Sequence, residues 1–178
     1  MTVTPTTSDP AATVTVNGTT VTSGSPSGPI ALSVGANNVA VVITAQDGVT
    51  KNTYTINVIR PSTNAKLSAL TISSGTLTPA FNTNTVSYTD AVTNATASVT
   101  VMPTVAVTGA TVKVNGTTVA SGAASGAIAL SVGANTITTI ITAQDGVTTD
   151  TYTITVTRAM SGAVTLPLSQ RVATKLER

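Results

Sequence analysis

The side chains of this 178-residue chain that could do chemistry are six acids and eight bases, with no histidine and no cysteine. The acids are Asp9, Asp47, Asp90, Asp145, Asp150 and Glu177. Two carboxylates can hydrolyse a glycosidic bond only when they converge at a set separation, and nothing in this spread of acids draws a pair together. Without histidine or cysteine there is no Ser-His-Asp triad and no Cys-His pair. The missing cysteines also remove thiolate metal sites and disulfides. The glycine-rich stretch SGSPSGPI (23–30) lacks the Lys-Ser/Thr ending of a phosphate loop and reads as an ordinary loop. The expectation is therefore a chain with no catalytic residue, no cofactor and no metal site.

The remaining chemistry is that of surfaces. Up to Arg158 the bases Lys51, Arg60, Lys66, Lys113 and Arg158 balance the five aspartates. The net positive charge sits in the tail, as Arg171, Lys175 and Arg178 against Glu177. An electrically balanced body gives no footprint for nucleic acid, and three terminal bases read as solubilising. No apolar run is long enough to span a bilayer, and the opening MTVTPTTSDP has neither the basic nor the apolar region of a secretory signal. Thr-x-Thr runs could order water on a flat sheet, but threonine is also the ordinary polar residue of an exposed strand face. Sugar platforms are usually aromatic. Tyr54, Phe81, Tyr88 and Tyr152 all fall on inward-reading positions, so they are assigned to the core.

The elements that position these residues are written twice. VNGTTV occurs at 16–21 and at 114–119, an offset of 98 residues. The same offset carries IALSVGAN (30–37) onto 128–135, ITAQDGVT (43–50) onto 141–148 and Arg60 onto Arg158. A period of that size is too long for a solenoid unit and suits an immunoglobulin-like sandwich. In TYTITVT (151–157), Tyr152, Ile154 and Val156 alternate with threonines, which is the two-residue period of a strand. Strands are expected near 66–73, 85–92, 97–102, 110–114, 117–120, 127–132, 136–143 and 149–157. Asn-Gly and Asp-Gly pairs between them suit type I′ turns. The inward set is expected to be Val14, Val16, Ile30, Leu32, Val34, Tyr54, Ile56 and Val58, with their equivalents 98 positions on. The fold class is all-β, as tandem antiparallel β-sandwiches.

The stretch NAKLSALTISSGTLTPAFNTNTVSYT (64–89), followed by VNGTTVASG, IALSVGANTI and ITAQDGVTTDTYTITVTR, resembles the cadherin-like β-sandwich domain of bacterial surface and secreted proteins. Leu67, Leu70, Gly75, Leu77, Pro79, Phe81 and Tyr88, closing on Tyr152 and Arg158, carry the likeness. It covers 61–158 completely and 2–60 only as the later part of a domain. The resemblance implies a non-catalytic module used in tandem, extracellular or at the cell surface, with no common ligand. It does not bring calcium, because the junction VIRPSTNAKLS (58–68) has no acid. Asp90 departs from the pattern; it is expected in water at a strand end, or else paired with a buried lysine.

These readings divide the chain into an incomplete repeat lacking its first strands (1–60), a complete repeat (61–158) and a tail (159–178) with a donor strand at 162–168 and a short helix at 169–178. At the same offset, tail residues 162–170 fall on 64–72. The tentative assembly residues are Ala163, Val164, Leu166 and Leu168, which could add as a strand to the incomplete repeat of another copy. The function expected is a spacer or filament-forming module, with adhesion or carbohydrate binding as the alternative. The partners expected are the chain itself or neighbouring domains of a larger surface protein, with a glycan as the other candidate and neither nucleic acid nor a membrane span.

Overall fold

A computed structural model describes residues 1–162. The donor strand, the short helix and all four assembly residues of the tail fall outside the described residues, apart from Gly162 at the strand's start. Among the described residues every regular element is a strand. The chain divides into two compact units, the first spanning Met1–Thr63 and the second beginning at Asn64.

Unit 1 contains β1 (Thr13–Val16), β2 (Thr19–Val21), β3 (Gly35–Thr44) and β4 (Lys51–Arg60). They form one antiparallel sheet in the order β2-β1-β3-β4. Unit 2 contains β5 (Leu67–Ile72), β6 (Ser87–Val92), β7 (Ser98–Val99), β8 (Val101–Val105) and β9 (Thr111–Val114), then β10 (Thr117–Val119), β11 (Ile128–Ala129), β12 (Gly133–Thr142) and β13 (Thr149–Arg158). Its main sheet has the order β10-β9-β12-β13-β6, which repeats the unit 1 sheet and adds β6 in parallel. The pairs β5-β8 and β7-β11 supply the facing layer. The single strand expected at 97–102 breaks at Thr100, whose backbone bonds Ser73 instead. There the chain changes partners, from β11 to β5.

The repeated hexapeptide proves to be a structural clamp. Asn17 and Gly18 have φ of 49° and 81°, and Asn115 and Gly116 have 46° and 83°, as a type I′ turn requires. Each asparagine also ties the hairpin to the next strand. The Asn17 Oδ1 accepts the Ala40 N–H at 2.9 Å, and the Asn115 Oδ1 accepts that of Thr138 at 2.9 Å. The Asp-Gly turns differ from expectation, since only Gly48 and Gly146 take positive φ. The aspartate works through its side chain instead. The Asp145 Oδ1 accepts the Val147 and Thr148 N–H groups, and its Oδ2 accepts the Thr148 hydroxyl at 2.6 Å; Asp47 repeats all three bonds.

The alternation read in β13 is the one observed, with Tyr152, Ile154 and Val156 buried in the unit 2 core beside Leu67, Leu70, Tyr88, Val112 and Ile137. Three expectations need correction. Val34 and Val132 are half exposed, because Asn37 and Asn135 curl the chain ahead of the strand. Each Asn Nδ2 donates to the carbonyls of Ser33 and Gly35, or of Ser131 and Gly133, which throws the intervening valine outward. Tyr54 and Ile56 are exposed rather than inward, because unit 1 has no second layer of strands over that part of β4. Asp90 is neither in water nor paired with lysine. It is buried within β6, its Oδ1 accepts the Thr76 N–H at 2.8 Å, and its Oδ2 has no partner. Gly75, at φ 86°, lies against that carboxylate so closely that any Cβ would collide with it.

Thr139 is the other buried group with an unpartnered oxygen, and Val41 holds the equivalent place in unit 1. An unmet buried hydroxyl costs about 1–3 kcal/mol, and valine has nearly the same volume. Thr139→Val is therefore expected to stabilise unit 2 by about 1 kcal/mol. A thermal melt should rise by several degrees; a fall would mean that the hydroxyl has a partner.

Candidate interaction surface

Two strands of nearly the same sequence meet different surroundings. β4 and β13 each pair antiparallel over ten residues with the long strand before them, from Gly35↔Arg60 to Thr44↔Lys51 and from Gly133↔Arg158 to Thr142↔Thr149. The far edge of β13 is occupied by β6, running from Thr153↔Ser87 to Arg158↔Val92, with the Thr153 N–H donating to Val86 O at 2.8 Å. Within unit 1 nothing occupies the far edge of β4, which ends its sheet. Among the described residues no strand bonds its backbone groups there.

The faces differ as sharply as the edges. Tyr152 and Ile154 are both 0% exposed, whereas Tyr54 and Ile56 are 54% and 38% exposed. What buries Tyr152 comes from residues 64–99. Its hydroxyl donates to Thr83 O at 2.7 Å and accepts the Leu67 N–H at 3.2 Å, and the Phe81 ring lies 6.5 Å away. Phe81 also stacks on Tyr88 at 6.1 Å, whose hydroxyl meets the carbonyls of Asn82 and Thr85. The Tyr54 hydroxyl accepts a bond from Asn52 Nδ2 at 3.2 Å, within its own strand. The fully buried core of unit 1 is correspondingly small, being Val14, Val16, Val39 and Val41.

Two further features mark the same vacancy. Residues 3–7 follow the course of β8, held by Ser27 and Ser23, but form no strand, and among the described residues no counterpart of β5 pairs with them. Beside them is a cleft of about 220 Å³ lined by Ser8, Asp9, Ile43, Ala45 and Asn52. In unit 2 the corresponding place is crossed by the start of β5. There the Lys66 carbonyl accepts the Ala106 N–H at 2.8 Å, and Lys66 Nζ meets Asp150 at 2.7 Å.

The five described aspartates are each engaged separately. Asp9 caps its own turn through the Ala11 N–H, Asp47 and Asp145 close their loops, Asp90 holds Thr76, and Asp150 pairs with Lys66. No two share a partner, and among the described residues no group of three potential metal ligands is found. The site that the structure offers is thus a strand edge without a neighbour in unit 1, beside exposed apolar side chains. Sequence reasoning missed Tyr54 and Ile56 as part of it, because their strand is as regular as its buried copy.

The family model for the cadherin-like beta sandwich domain matches residues 1–61 and 67–159. A curated protein of Evansella cellulosilytica, named for a membrane location, is 45% identical over 100 residues. That match takes in 56% of this chain and 15% of the relative, so the chain spans a small part of that protein's length. Among solved structures, the fibronectin(III)-like modules of Clostridium thermocellum CbhA align over 89% of this chain and 84% of theirs. That alignment has 15% identity and a TM-score of 0.28, too low to bear on the argument.

Two outcomes are expected here. In dilute protein, iodination followed by mass spectrometry should modify Tyr54 and spare Tyr88 and Tyr152; uniform protection would place cover over β4. Bonds from Thr50 and Thr148 to the carboxylates hold Asp47 and Asp145 below the ordinary aspartate value of about 3.9. Their loop-closing contribution is therefore complete above that value and lost as pH falls through the lowered ones. Carboxyl carbon shifts followed by NMR should give both midpoints below about 3.9, and a midpoint above it would refute the assignment.

Proposed function

The chain belongs to the cadherin-like beta sandwich domain family, and we propose from that premise that it is a non-catalytic, extracellular structural module of a larger surface protein. Its role is to space or assemble, and the observation that carries this reading is the open strand β4. Tyr54 and Ile56 lie bare there, where Tyr152 and Ile154 are sealed. A sheet edge beside an uncovered apolar face is a template for another strand, and strand addition is how such edges bind polypeptides. The absence of convergent carboxylates and the balanced charge of the body support a structural role over an enzymatic or nucleic-acid one. Among the described residues no helix is long and apolar enough to cross a membrane.

The assembly envisaged is a chain of copies in which unit 1 of one is completed by a strand of the next, making the module a filament-forming repeat. Sedimentation velocity over a range of concentrations should show association beyond the monomer, and a glycan array should be flat. A strict monomer at all concentrations removes the assembly reading. A single saturable sugar that protects Tyr54 from iodination would replace it with carbohydrate binding.

A further inference from the structure

Resting on that reading, we propose that the open edge of β4 seats residues 163–168 of a second copy as a parallel strand. In this seat Val164 lies opposite Ile56, Leu166 opposite Val58 and Leu168 opposite Arg60. The register comes from unit 2, where β6 is the strand that β13 accepts. There Tyr88 is opposite Ile154, Asp90 opposite Val156 and Val92 opposite Arg158. Moved back by the repeat offset, the acceptor positions are Ile56, Val58 and Arg60 of β4. This is the place of β6, not that of β5 on which the repeat offset lays the tail.

The tail sequence fits the seat residue by residue. Tyr88, Asp90 and Val92 all turn inward and are buried, and Val164, Leu166 and Leu168 repeat that two-residue spacing with apolar side chains. Thr165 falls at the place of Thr89. Pro167 falls at that of Ala91, which is exposed. Proline can enter a sheet only where its missing N–H faces away from the partner, and this place satisfies that. Thr89, two residues before Ala91 and so of the same orientation, exchanges both its backbone bonds with Thr78 on the side away from β13. Leu166 also removes the burden of a buried carboxylate that Asp90 carries in β6. The seat has a defined end. The Ala159 N–H donates to Val92 O in unit 2, but its counterpart is Pro61, which has no N–H, so pairing stops at Arg60.

The path of the chain through unit 2 favours a second copy as the donor. The chain enters beside Asp150, where Lys66 is bonded, and leaves past Arg158 at the far end of the same strand, roughly 26 Å away at ~3.3 Å per residue. The tail thus departs from the end of unit 2 opposite its linker to unit 1. Each copy that donates a tail keeps its own β4 open, so the contact is heterologous and propagates head to tail.

The test uses the full chain and two variants. Leu166→Asp/Leu168→Asp puts charge on the buried face of the donor and leaves every described element intact. Thr55→Pro removes the acceptor N–H equivalent to that of Thr153, with a thermal melt to verify folding. Both should weaken the association seen by sedimentation at least tenfold, while Leu166→Ile/Leu168→Val retains it. Amide exchange at Thr55, Asn57 and Ile59 should slow on association in the parent chain and not in the charged variant. Association unchanged by the charged tail overturns the proposal and leaves the structural reading standing. Slow exchange at Thr55 in a monomer would assign the seat to the chain's own tail and overturn the second-copy assignment. A parent chain that never associates removes the assembly reading itself.

Discussion

A β-sheet with one apolar face is stable only when something covers that face, and in this protein one long strand written twice displays the requirement. β13 has both a neighbour at its edge and a layer over its face, and Tyr152, Ile154 and Val156 are sealed. β4 keeps the same alternation and the same antiparallel partner, yet its tyrosine and isoleucine lie open. Nothing in the strand itself accounts for the difference. It comes from residues 64–99, which bring Leu67, Leu70, Phe81, Tyr88 and the carbonyl of Thr83 to unit 2. Fully burying one large apolar side chain contributes roughly 1.5–3 kcal/mol, so the added layer is comparable to the whole stability of a small domain.

The most repeated stretches of the two units are devices that hold loops, and this separates identity from ligand binding. VNGTTV places an asparagine at positive φ and uses its side chain to clamp the adjoining long strand. AQDGVT turns an aspartate back on three donors of its own loop. SVGAN winds around an asparagine whose amide also reaches the carbonyl of Val58 or Val156 on the last strand. Arg60 and Arg158 each donate to a leucine carbonyl, Leu32 or Leu130, at 2.7 Å. Each of these asparagines, aspartates and arginines has its hydrogen-bond partners within its own unit.

Much of this was legible in the sequence. The offset of 98 residues, the alternation of Tyr152, Ile154 and Val156, and the Asn-Gly hairpins follow from period and turn chemistry. What was not legible depends on partners distant in sequence. Burial of Tyr54 was expected from its alternation, but alternation reports which face a residue occupies and not whether a second layer covers it. Val132 looked inward because IALSV alternates, while the curl imposed by Asn135 ends the alternation after Leu130. Asp90 was expected at a strand end in water, since a carboxylate is rarely buried without a full set of partners. Only the fold of Ser73–Thr76 over β6 brings the Thr76 N–H and the bare backbone of Gly75 against it.

The contrast between the two sheet edges gives Asp90 a meaning beyond its own cost. In unit 2, β6 is the edge strand of the main sheet, and Asp90 is an inward-pointing charge on it. Such a charge is costly inside a core, but it opposes the slipping or extension of an edge, because any shift in register would strand it without the Thr76 N–H. The bridge from Thr78 to Thr89 covers part of the same edge. β4 has none of these guards. Ile56 and Ile59 are both exposed, Val58 is only half-buried, and Pro61 follows just past the end of the strand. One copy of the edge is thus closed by a buried carboxylate and a bridging loop, whereas among the described residues the other copy has neither. The β4 edge also ends sharply, because Pro61 after Arg60 has no N–H to offer.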